Sequence, residues 1–325
     1  MKYGLLTYEE NAKHFNVGDY IQSLAAKQYL PSVDKYLNRE HLGDYTGEKT
    51  AVILNGWFTH NTSHWIPSGD ILPLFVSFHL NNTAAPEMLS DEGIAYLKSH
   101  EPIGCRDTFT VDLLNSKGIK AFFTGCLTLT LDSYKVPDDQ RTNDIFIVDP
   151  LYNYPTAQGS TISFRTFLHY VKSGKIWGLG RKKSHLNNLF TKELIASAKY
   201  TFHDLPSNTY SIDQKFEIAD DLLRKYAKAK LVITSRIHCA LPCLALRTPV
   251  IYINGFTDFV DTSRFGGILN LFNRVDIDYN TGKFTSTFPL DGKITSSTVI
   301  PNPDSYKILA NGLKTRCRNF IDSTI

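Results

Sequence analysis

Residues 230–253, which read KLVITSRIHCALPCLALRTPVIYI, constrain the fold of this chain more than any other stretch. The apolar, β-branched run at 231–234 is typical of a buried parallel strand. Apolar residues at helical spacing follow over 239–246, and residues 250–253 predict a second buried strand. A strand, a tight turn, a helix and a strand in this order form the repeating unit of an α/β fold with a parallel sheet.

The turn at residues 235–238 holds two cationic or titratable side chains, Arg236 and His238. They lie where the carboxyl end of a strand meets the amino end of a helix, and free N–H groups and the helix dipole attract anions there. A guanidinium adds forked hydrogen bonds to a phosphate or a carboxylate. Because ligands of open α/β sheets bind outside the carboxyl ends of the strands, we predict an anion site on Arg236 and His238. The alternative for an Arg or His in a turn is a solvated side chain without a ligand.

Composition limits the class of protein. A chain of 325 residues that is 42% hydrophobic and 21% charged indicates a globular protein of two ordinary domains. The net charge of +3 is too small to predict a nucleic-acid partner. No apolar run is long enough to span a bilayer and the amino terminus lacks the apolar core of a signal peptide, so we predict a cytoplasmic protein. The odd number of cysteines, five in all, predicts reduced, buried thiols rather than disulfides.

Strands and helices alternate through the first half of the chain, which predicts a parallel sheet. A glycine or a polar residue repeatedly follows the predicted carboxyl end of a strand. These residues are Asp19, Asn55, His79, Arg106 and Gly125. Because parallel strands end at the same edge of their sheet, we expect these residues to outline a cleft. Asp19 and Gln22 also have the spacing of a helix capping box.

A polar linker at residues 133–144 precedes a second alternation of strands and helices. Further helices are predicted at 163–172, 186–199, 213–228 and 262–272. The predicted fold is α/β, with two Rossmann-like domains, 1–135 and 143–300, that face each other across a cleft. Residues 301–325 are predicted to form a helix that packs back across the domains.

Several common catalytic motifs are missing from the sequence. It has no GxxxxGK[ST] phosphate loop, no complete dinucleotide-binding glycine pattern and no GxSxG nucleophile turn. His60 and His64 have metal-like spacing but no helical pattern around them, so we interpret them as loop residues. The sequence therefore predicts neither a metal site nor a cofactor.

Three stretches together resemble the polysaccharide pyruvyl transferase family. The first is the focal run, with Ser235-Arg236-Ile237-His238 and then Leu244-Ala245-Leu246-Arg247-Thr248-Pro249. The second is Asn16-Val17-Gly18-Asp19 with Gln22, which is similar to the amino-terminal loop of the family. The third is Gly104-Cys105-Arg106-Asp107 followed by Thr124-Gly125-Cys126-Leu127-Thr128, which is similar to its middle block. Residues 254–325 carry no recognisable motif.

The resemblance implies a glycosyltransferase-B-like fold and transfer of pyruvate from phosphoenolpyruvate to a sugar, with formation of a ketal across two hydroxyls. It also implies a donor site on Arg236, His238, Arg106 and His79, with His60 as a rival for the role of His79. The acceptor sugar, free or lipid-linked, would belong to a surface polysaccharide or its precursor. The predicted membrane contact is peripheral at most, and the oligomeric state is open.

This chemistry agrees with the anion site predicted from the turn. Phosphoenolpyruvate carries a phosphate and a carboxylate, so it needs two cationic groups, which Arg236 with the helix amino end and Arg106 could supply. We predict that His238 is the acid that protonates the methylene carbon, and that Asp19 or His79 accepts the hydroxyl proton. Trp57 is a candidate for stacking on the sugar. The remaining predicted substrate-binding residues are Ser235, Ile237, Asn16, Gly18, Asn55 and Gly125.

Two other functions fit the same sequence features. A nucleotide-sugar glycosyltransferase of this architecture would bind a diphosphate at Arg236. A non-catalytic protein that binds an anionic sugar would use Arg236 and His238 for affinity alone. Binding of nucleotide sugars would favour the first alternative, and tight ligand binding without turnover would favour the second.

Overall fold

The computed structural model describes residues 1–8, 13–57, 61–155, 178–257, 260 and 262–324, without the side chains of Trp57 and Asn208. Within these residues the strands form two six-stranded sheets and one two-stranded sheet. In chain order the strands are β1 Lys2–Thr7, β2 His14–Asn16, β3 Lys35–Asn38, β4 Thr50–Trp57, β5 Ile71–His79, β6 Ile103–Cys105, β7 Ala121–Phe123, β8 Ile145–Val148, β9 Lys199–Thr201, β10 Asp204–Pro206, β11 Leu231–Thr234, β12 Val250–Asn254, β13 Asn273–Ile277 and β14 Phe284–Ser286. The predicted α/β class is confirmed.

Helices alternate with these strands, and most are short. The described α-helices are α1 Val17–Lys27, α2 Ala85–Met88, α3 Asp91–Ser99, α4 Thr108–Ser116, α5 Arg181–Leu189, α6 Lys192–Ser197, α7 Ile212–Lys228, α8 Ile237–Ala245 and α9 Tyr306–Asp322. No helix in the described ranges combines the length and the apolar character that crossing a membrane requires.

The two large sheets have the same strand order. The first runs β3-β1-β4-β5-β6-β7 and is parallel throughout. The second runs β9-β8-β11-β12-β13-β14 and is parallel except for the antiparallel edge strand β14. Numbered by chain position within its own sheet, each order reads 2-1-3-4-5-6. The order reverses between β1 and β4 in one sheet and between β8 and β11 in the other, and ligands of doubly wound sheets bind at such points.

Helices α1, α7 and α8 pack together between the two halves of the chain. Helix α7 begins at a capping box in which Ser211 and Gln214 bond to each other's backbone N–H groups. One continuous core includes Ile21 of α1, Phe216 of α7 and Leu241 of α8. The short antiparallel pair β2 and β10 adds a backbone connection between the halves. The amino ends of α1 and α8 are thereby fixed close to each other.

All five cysteines lie in the described residues as buried, unpaired thiols, as predicted. Other predictions were wrong. Residues 262–272 form two short 3-10 turns, Ser263–Phe265 and Leu269–Leu271, instead of a helix. The helix predicted at 186–199 is divided into α5 and α6, because the backbone at Phe190 is extended. The helix predicted at 163–172 falls outside the described residues.

Candidate active site

A cavity of about 250 Å³ lies at the carboxyl ends of strands from both six-stranded sheets. The described residues that line it are Asn16, Asp19, Arg39, Arg106, Tyr152, His203, Arg236, Ile237, His238 and Arg264. The polar members include four arginines and two histidines. Such a lining suits a small ligand with more than one negative charge.

Arg236 is the N-cap residue of α8, and its side chain is held on two sides. Its Nε donates to Asp149 Oδ2 at 2.9 Å, and its guanidinium lies over the ring of Tyr152, 3.9 Å from the ring centroid. Its own backbone N–H donates to Thr234 Oγ1, the last residue of β11. Helix α8 starts at Ile237, and its first residues, Ile237 and His238, line the cavity together with this guanidinium. The first N–H groups of a helix have no acceptor within the helix.

Asp149 anchors this side of the cavity, although it does not belong to the predicted site. It directly follows β8, and its Oδ2 accepts hydrogen bonds from Arg236 Nε and from the backbone N–H of His203. Its φ is +44°, in the left-handed region that costs most residues energy but that Asp tolerates better than others. The ion pair with Arg236 joins the two strands between which the order of the second sheet reverses.

Ser235, a predicted substrate-binding residue, supports the turn from behind the cavity. Its hydroxyl donates to the carbonyl of Ile253 at 2.6 Å and accepts from the N–H of Leu151 at 2.8 Å. It does not line the cavity. These bonds hold the loop that carries Asp149 against the turn that carries Arg236.

His238 lies in the first turn of α8 and is 9% exposed. Its Nε2 makes no hydrogen bond to any described residue. Burial lowers its pKa well below the usual value, and the charges of Arg106 and Arg264 lower it further. The imidazole of the unliganded protein is therefore neutral near pH 7, with one ring nitrogen available to a ligand.

Arg106 enters the cavity from the first sheet, where it directly follows β6, and is only 1% exposed. Its backbone N–H donates to the carbonyl of Phe78, which fixes the chain at the sheet edge. Its Nε makes no hydrogen bond to a described residue, and the Asp107 carboxylate lies 3.9 Å from it. A buried guanidinium with unused N–H capacity is costly without a partner, so this geometry favours an anionic ligand.

The amino end of α1 supplies Asn16 and Asp19 to the cavity lining, whereas Gly18 does not line it. Asn16 is the N-cap, and its Oδ1 accepts from the N–H of Gly18 at 3.1 Å. The predicted capping box of Asp19 and Gln22 is wrong, because the helix begins three residues earlier than that motif requires; Gln22 Nε2 instead donates to Asp19 Oδ1. A Cβ on Gly18 would lie 2.9 Å from Cβ of His238, so glycine permits the close approach of α1 to α8.

His79 is buried beside the cavity rather than in its lining. It is the last residue of β5, and its Nδ1 lies 2.6 Å from Asp107 Oδ2. Burial and the charge of Arg106 lower its pKa to about 4 despite this carboxylate. A neutral imidazole then donates from Nδ1 to Asp107. His79 therefore affects the site through its hydrogen bond to Asp107.

Two more predicted residues lie away from the cavity. Asn55 belongs to β4, which continues to Trp57, and its Nδ2 donates to the carbonyl of Gln22. Gly125 has a φ of +68° and packs against Leu309 of α9, so it shapes a turn in the core. The side chain of Trp57 and all of His60 fall outside the described residues.

Sequence reasoning missed Arg39, Tyr152, His203 and Arg264. Arg39 follows the short edge strand β3, whose sequence KYLN has no apolar alternation to identify it. His203 follows β9 by two residues, and Tyr152 follows β8 by four. Arg264 lies in an irregular segment between β12 and β13, where no strand end marks it.

These features define an α/β protein with a compact, cationic cavity at the edges of two doubly wound sheets. The chain belongs to the polysaccharide pyruvyl transferase family, whose sequence model matches residues 16–255. No curated protein matches the chain. A solved structure of a functionally uncharacterised protein from Klebsiella pneumoniae subsp. pneumoniae is similar over 82% of this chain and 88% of the other, with 12% identity and a TM-score of 0.42.

Proposed function

We propose that this protein transfers pyruvate from phosphoenolpyruvate to a sugar of a surface polysaccharide or its lipid-linked precursor, with formation of a ketal. Membership of the polysaccharide pyruvyl transferase family supports the reaction class. The observation that carries the donor is the cavity itself, whose lining combines four arginines with His238, and Nε2 of His238 has no hydrogen-bond partner among the described residues.

The donor matches the cavity in charge and in size. In this proposal Arg236 and the amino end of α8 bind one anionic group of phosphoenolpyruvate, and Arg106 binds the other. A volume of about 250 Å³ suits a donor of this size better than a nucleotide sugar, which needs room for a base, a ribose and a diphosphate as well. Ile237 and Asn16 complete the walls next to these groups.

The proposed reaction has two bond-forming steps. His238 gives a proton to the methylene carbon of the donor while a sugar hydroxyl attacks C2, and the proton of that hydroxyl passes to Asp19. A second hydroxyl then attacks C2 as the bond between C2 and the phosphate oxygen breaks, its proton leaves with inorganic phosphate, and the ketal ring closes. Asp19 is better suited than His79 as the proton acceptor, because it lines the cavity and His79 does not.

The donor itself would convert His238 into an acid. Burial and the surrounding cations Arg106, Arg264 and Arg236 lower its pKa in the unliganded protein, and neighbouring His203 acts in the same direction. A bound phosphate and carboxylate bring negative charge to the same guanidinium groups. We expect the pKa of His238 to rise on binding, so that the imidazole takes up the proton that it later transfers.

The proposal extends to the architecture and the setting of the reaction. Domains 1–135 and 143–300 would face each other in a glycosyltransferase-B-like arrangement, and residues 301–325 would pack back across them. The shared 2-1-3-4-5-6 order of the two sheets supports this organisation. We propose that the reaction needs no cofactor and takes place in the cytoplasm, where phosphoenolpyruvate is available.

Phosphate release from phosphoenolpyruvate tests the function, with galactose-, mannose- and glucose-containing acceptors supplied in turn. We expect release that depends on one acceptor class, and a mass gain of that acceptor equal to a pyruvyl ketal. His238→Ala should abolish release with the fold intact, whereas His64→Ala, at a half-exposed histidine outside the cavity lining, should retain it. Near-normal release in His238→Ala would reject the acid role. Tight binding of nucleotide sugars without phosphoenolpyruvate binding would reject the function.

A further inference from the structure

The four guanidinium groups that line the cavity within the described ranges divide into two kinds by their partners. Arg39 Nε donates to Glu40 Oε1 at 3.0 Å, and Arg236 Nε donates to Asp149 Oδ2 at 2.9 Å. Within the described residues, Arg106 Nε and Arg264 Nε are buried and have no hydrogen-bond partner. Two of the four positive charges are therefore balanced by an adjacent carboxylate in a direct hydrogen bond, and two are not.

Arg264 is held in place by both halves of the chain. Its Nη2 donates to the hydroxyl of Tyr152 at 3.0 Å, and Tyr152 in turn lies under the guanidinium of Arg236. Two residues further on, the carbonyl of Gly266 accepts from the N–H of Thr108, in the first turn of α4. This segment connects the second sheet with the helix that follows Arg106.

The charge of Arg264 acts on the other groups of the cavity. It lowers the pKa of His238 and of Arg106, so the three side chains are close enough to interact in the unliganded protein. Like charges held together in a buried place are unfavourable unless a ligand compensates them. The fixed position of Arg264 beside Arg106 indicates a binding site for a group that carries two negative charges.

We propose that Arg264 and Arg106 together bind the phosphate of the donor, while Arg236 and the amino end of α8 bind its carboxylate. The proposal rests on the function above, and it follows from charge matching. A phosphate dianion fits the two guanidinium groups that lack a bonded carboxylate, and a carboxylate with a single charge fits Arg236, which already shares Asp149. Arg264 lies beyond residue 255, where the family match ends.

Arg264→Gln and Arg264→Lys separate a binding role from a structural one. Both new side chains keep an N–H donor for the hydroxyl of Tyr152, but only lysine keeps the positive charge. Arg318→Gln serves as the matched control, because Arg318 lies on an exposed position of α9 outside the cavity. The affinities of inorganic phosphate, pyruvate and phosphoenolpyruvate are measured by calorimetry in a buffer without phosphate or sulfate.

We expect Arg264→Gln to weaken phosphate and phosphoenolpyruvate by about tenfold or more, as the loss of a charge-assisted hydrogen bond predicts. Pyruvate, which carries only the carboxylate, should bind Arg264→Gln and the wild-type protein alike. Arg264→Lys should recover part of the phosphate affinity, and Arg318→Gln should match the wild type for every ligand. Wild-type phosphate affinity in Arg264→Gln would overturn the inference, and so would an equal loss for pyruvate and phosphate.

The same titrations distinguish this inference from the proposed function. If the wild type binds phosphate but never releases it from phosphoenolpyruvate with any acceptor, the function is rejected, and the phosphate affinity of Arg264→Gln still decides the role of Arg264. If the wild type binds neither phosphate nor phosphoenolpyruvate, both proposals are overturned.

Discussion

The buried carboxylate of Asp107 interacts with two buried neighbours, Arg106 and His79. Asp107 caps α4 by accepting from the N–H of Thr110 at 2.9 Å, and its other oxygen faces His79. The hydrogen bond from His79 and the charge of Arg106 lower the pKa of Asp107 even though burial alone would raise it. The carboxylate therefore stays charged and partly offsets the buried charge of Arg106.

His79 should make the folded protein sensitive to mild acid. Its pKa is about 4 in the fold and near 6.5 in an unfolded chain, so between these values only the unfolded state takes up the proton. The free energy of unfolding should thus fall as the pH drops from 6.5 to 4, by about 3 kcal/mol from this residue alone. Urea unfolding at a series of pH values should show a shallower decline for His79→Gln than for the wild type.

The comparison uses slopes because His79→Gln also loses its bond to Asp107 and is less stable at every pH. His238, whose pKa is also lowered, remains in both proteins and cancels in the difference. If the free energy of unfolding changed equally with pH in the two proteins, the fold would not be holding His79 neutral.

At the scale of elements, the site depends on how closely α1 approaches α8. Gly18→Ala would place a methyl group 2.9 Å from Cβ of His238 and 3.1 Å from its Nδ1. We expect a loss of about 1–3 kcal/mol in the free energy of unfolding, as for other overpacked sites. We also expect a lower affinity for phosphoenolpyruvate, because His238 and the amino end of α8 must shift.

Gly312→Ala is the matched control, since Gly312 lies within α9 and nothing would contact its Cβ within 4 Å. Alanine favours the helix there by about 0.5–1 kcal/mol, so this variant should be more stable and bind the donor normally. Urea unfolding and calorimetric titration measure both variants. A Gly18→Ala protein with wild-type stability and affinity would contradict the packing described here.

Strong apolar patterns made the central elements predictable from the sequence. The strand β11 was predicted with the bounds that the structure has, and the helix predicted at 213–228 is α7, which begins one residue earlier. Weak patterns failed, as in the edge strand β3, which is mostly polar and partly exposed. Residues 262–272 have helical spacing, but their backbone forms separate turns that bring Arg264 to the cavity.

Ligands of parallel sheets lie past the carboxyl ends of the strands, and this rule predicted much of the site. It identified Arg106, Arg236 and His238, and it would also have found Asp149, which directly follows β8. It did not hold for Asn55 and His79, because these residues belong to the strands β4 and β5 instead of following them, and neither lines the cavity. The residues that line the cavity from irregular segments depend on the packing of both halves, which local sequence does not specify.

At the scale of the whole molecule, two sheets with one strand order bring their reversal points to a single cavity. The first half of the chain contributes Asp19 and Arg106, and the second half contributes Arg236 and His238. Neither set alone could surround a ligand with two anionic groups. The central claim is therefore that the cavity assembled from both halves binds phosphoenolpyruvate and uses its charge to protonate His238.

Calorimetric titration with phosphoenolpyruvate at pH 8, in two buffers of different ionisation enthalpy, tests this claim most directly. The phosphate of the free donor is fully ionised there, since its second pKa is about 6. We predict one binding site and uptake of up to one proton per site in the wild type, with binding but no uptake in His238→Gln. Absence of phosphoenolpyruvate binding, or an equal proton uptake in the two proteins, would contradict the account.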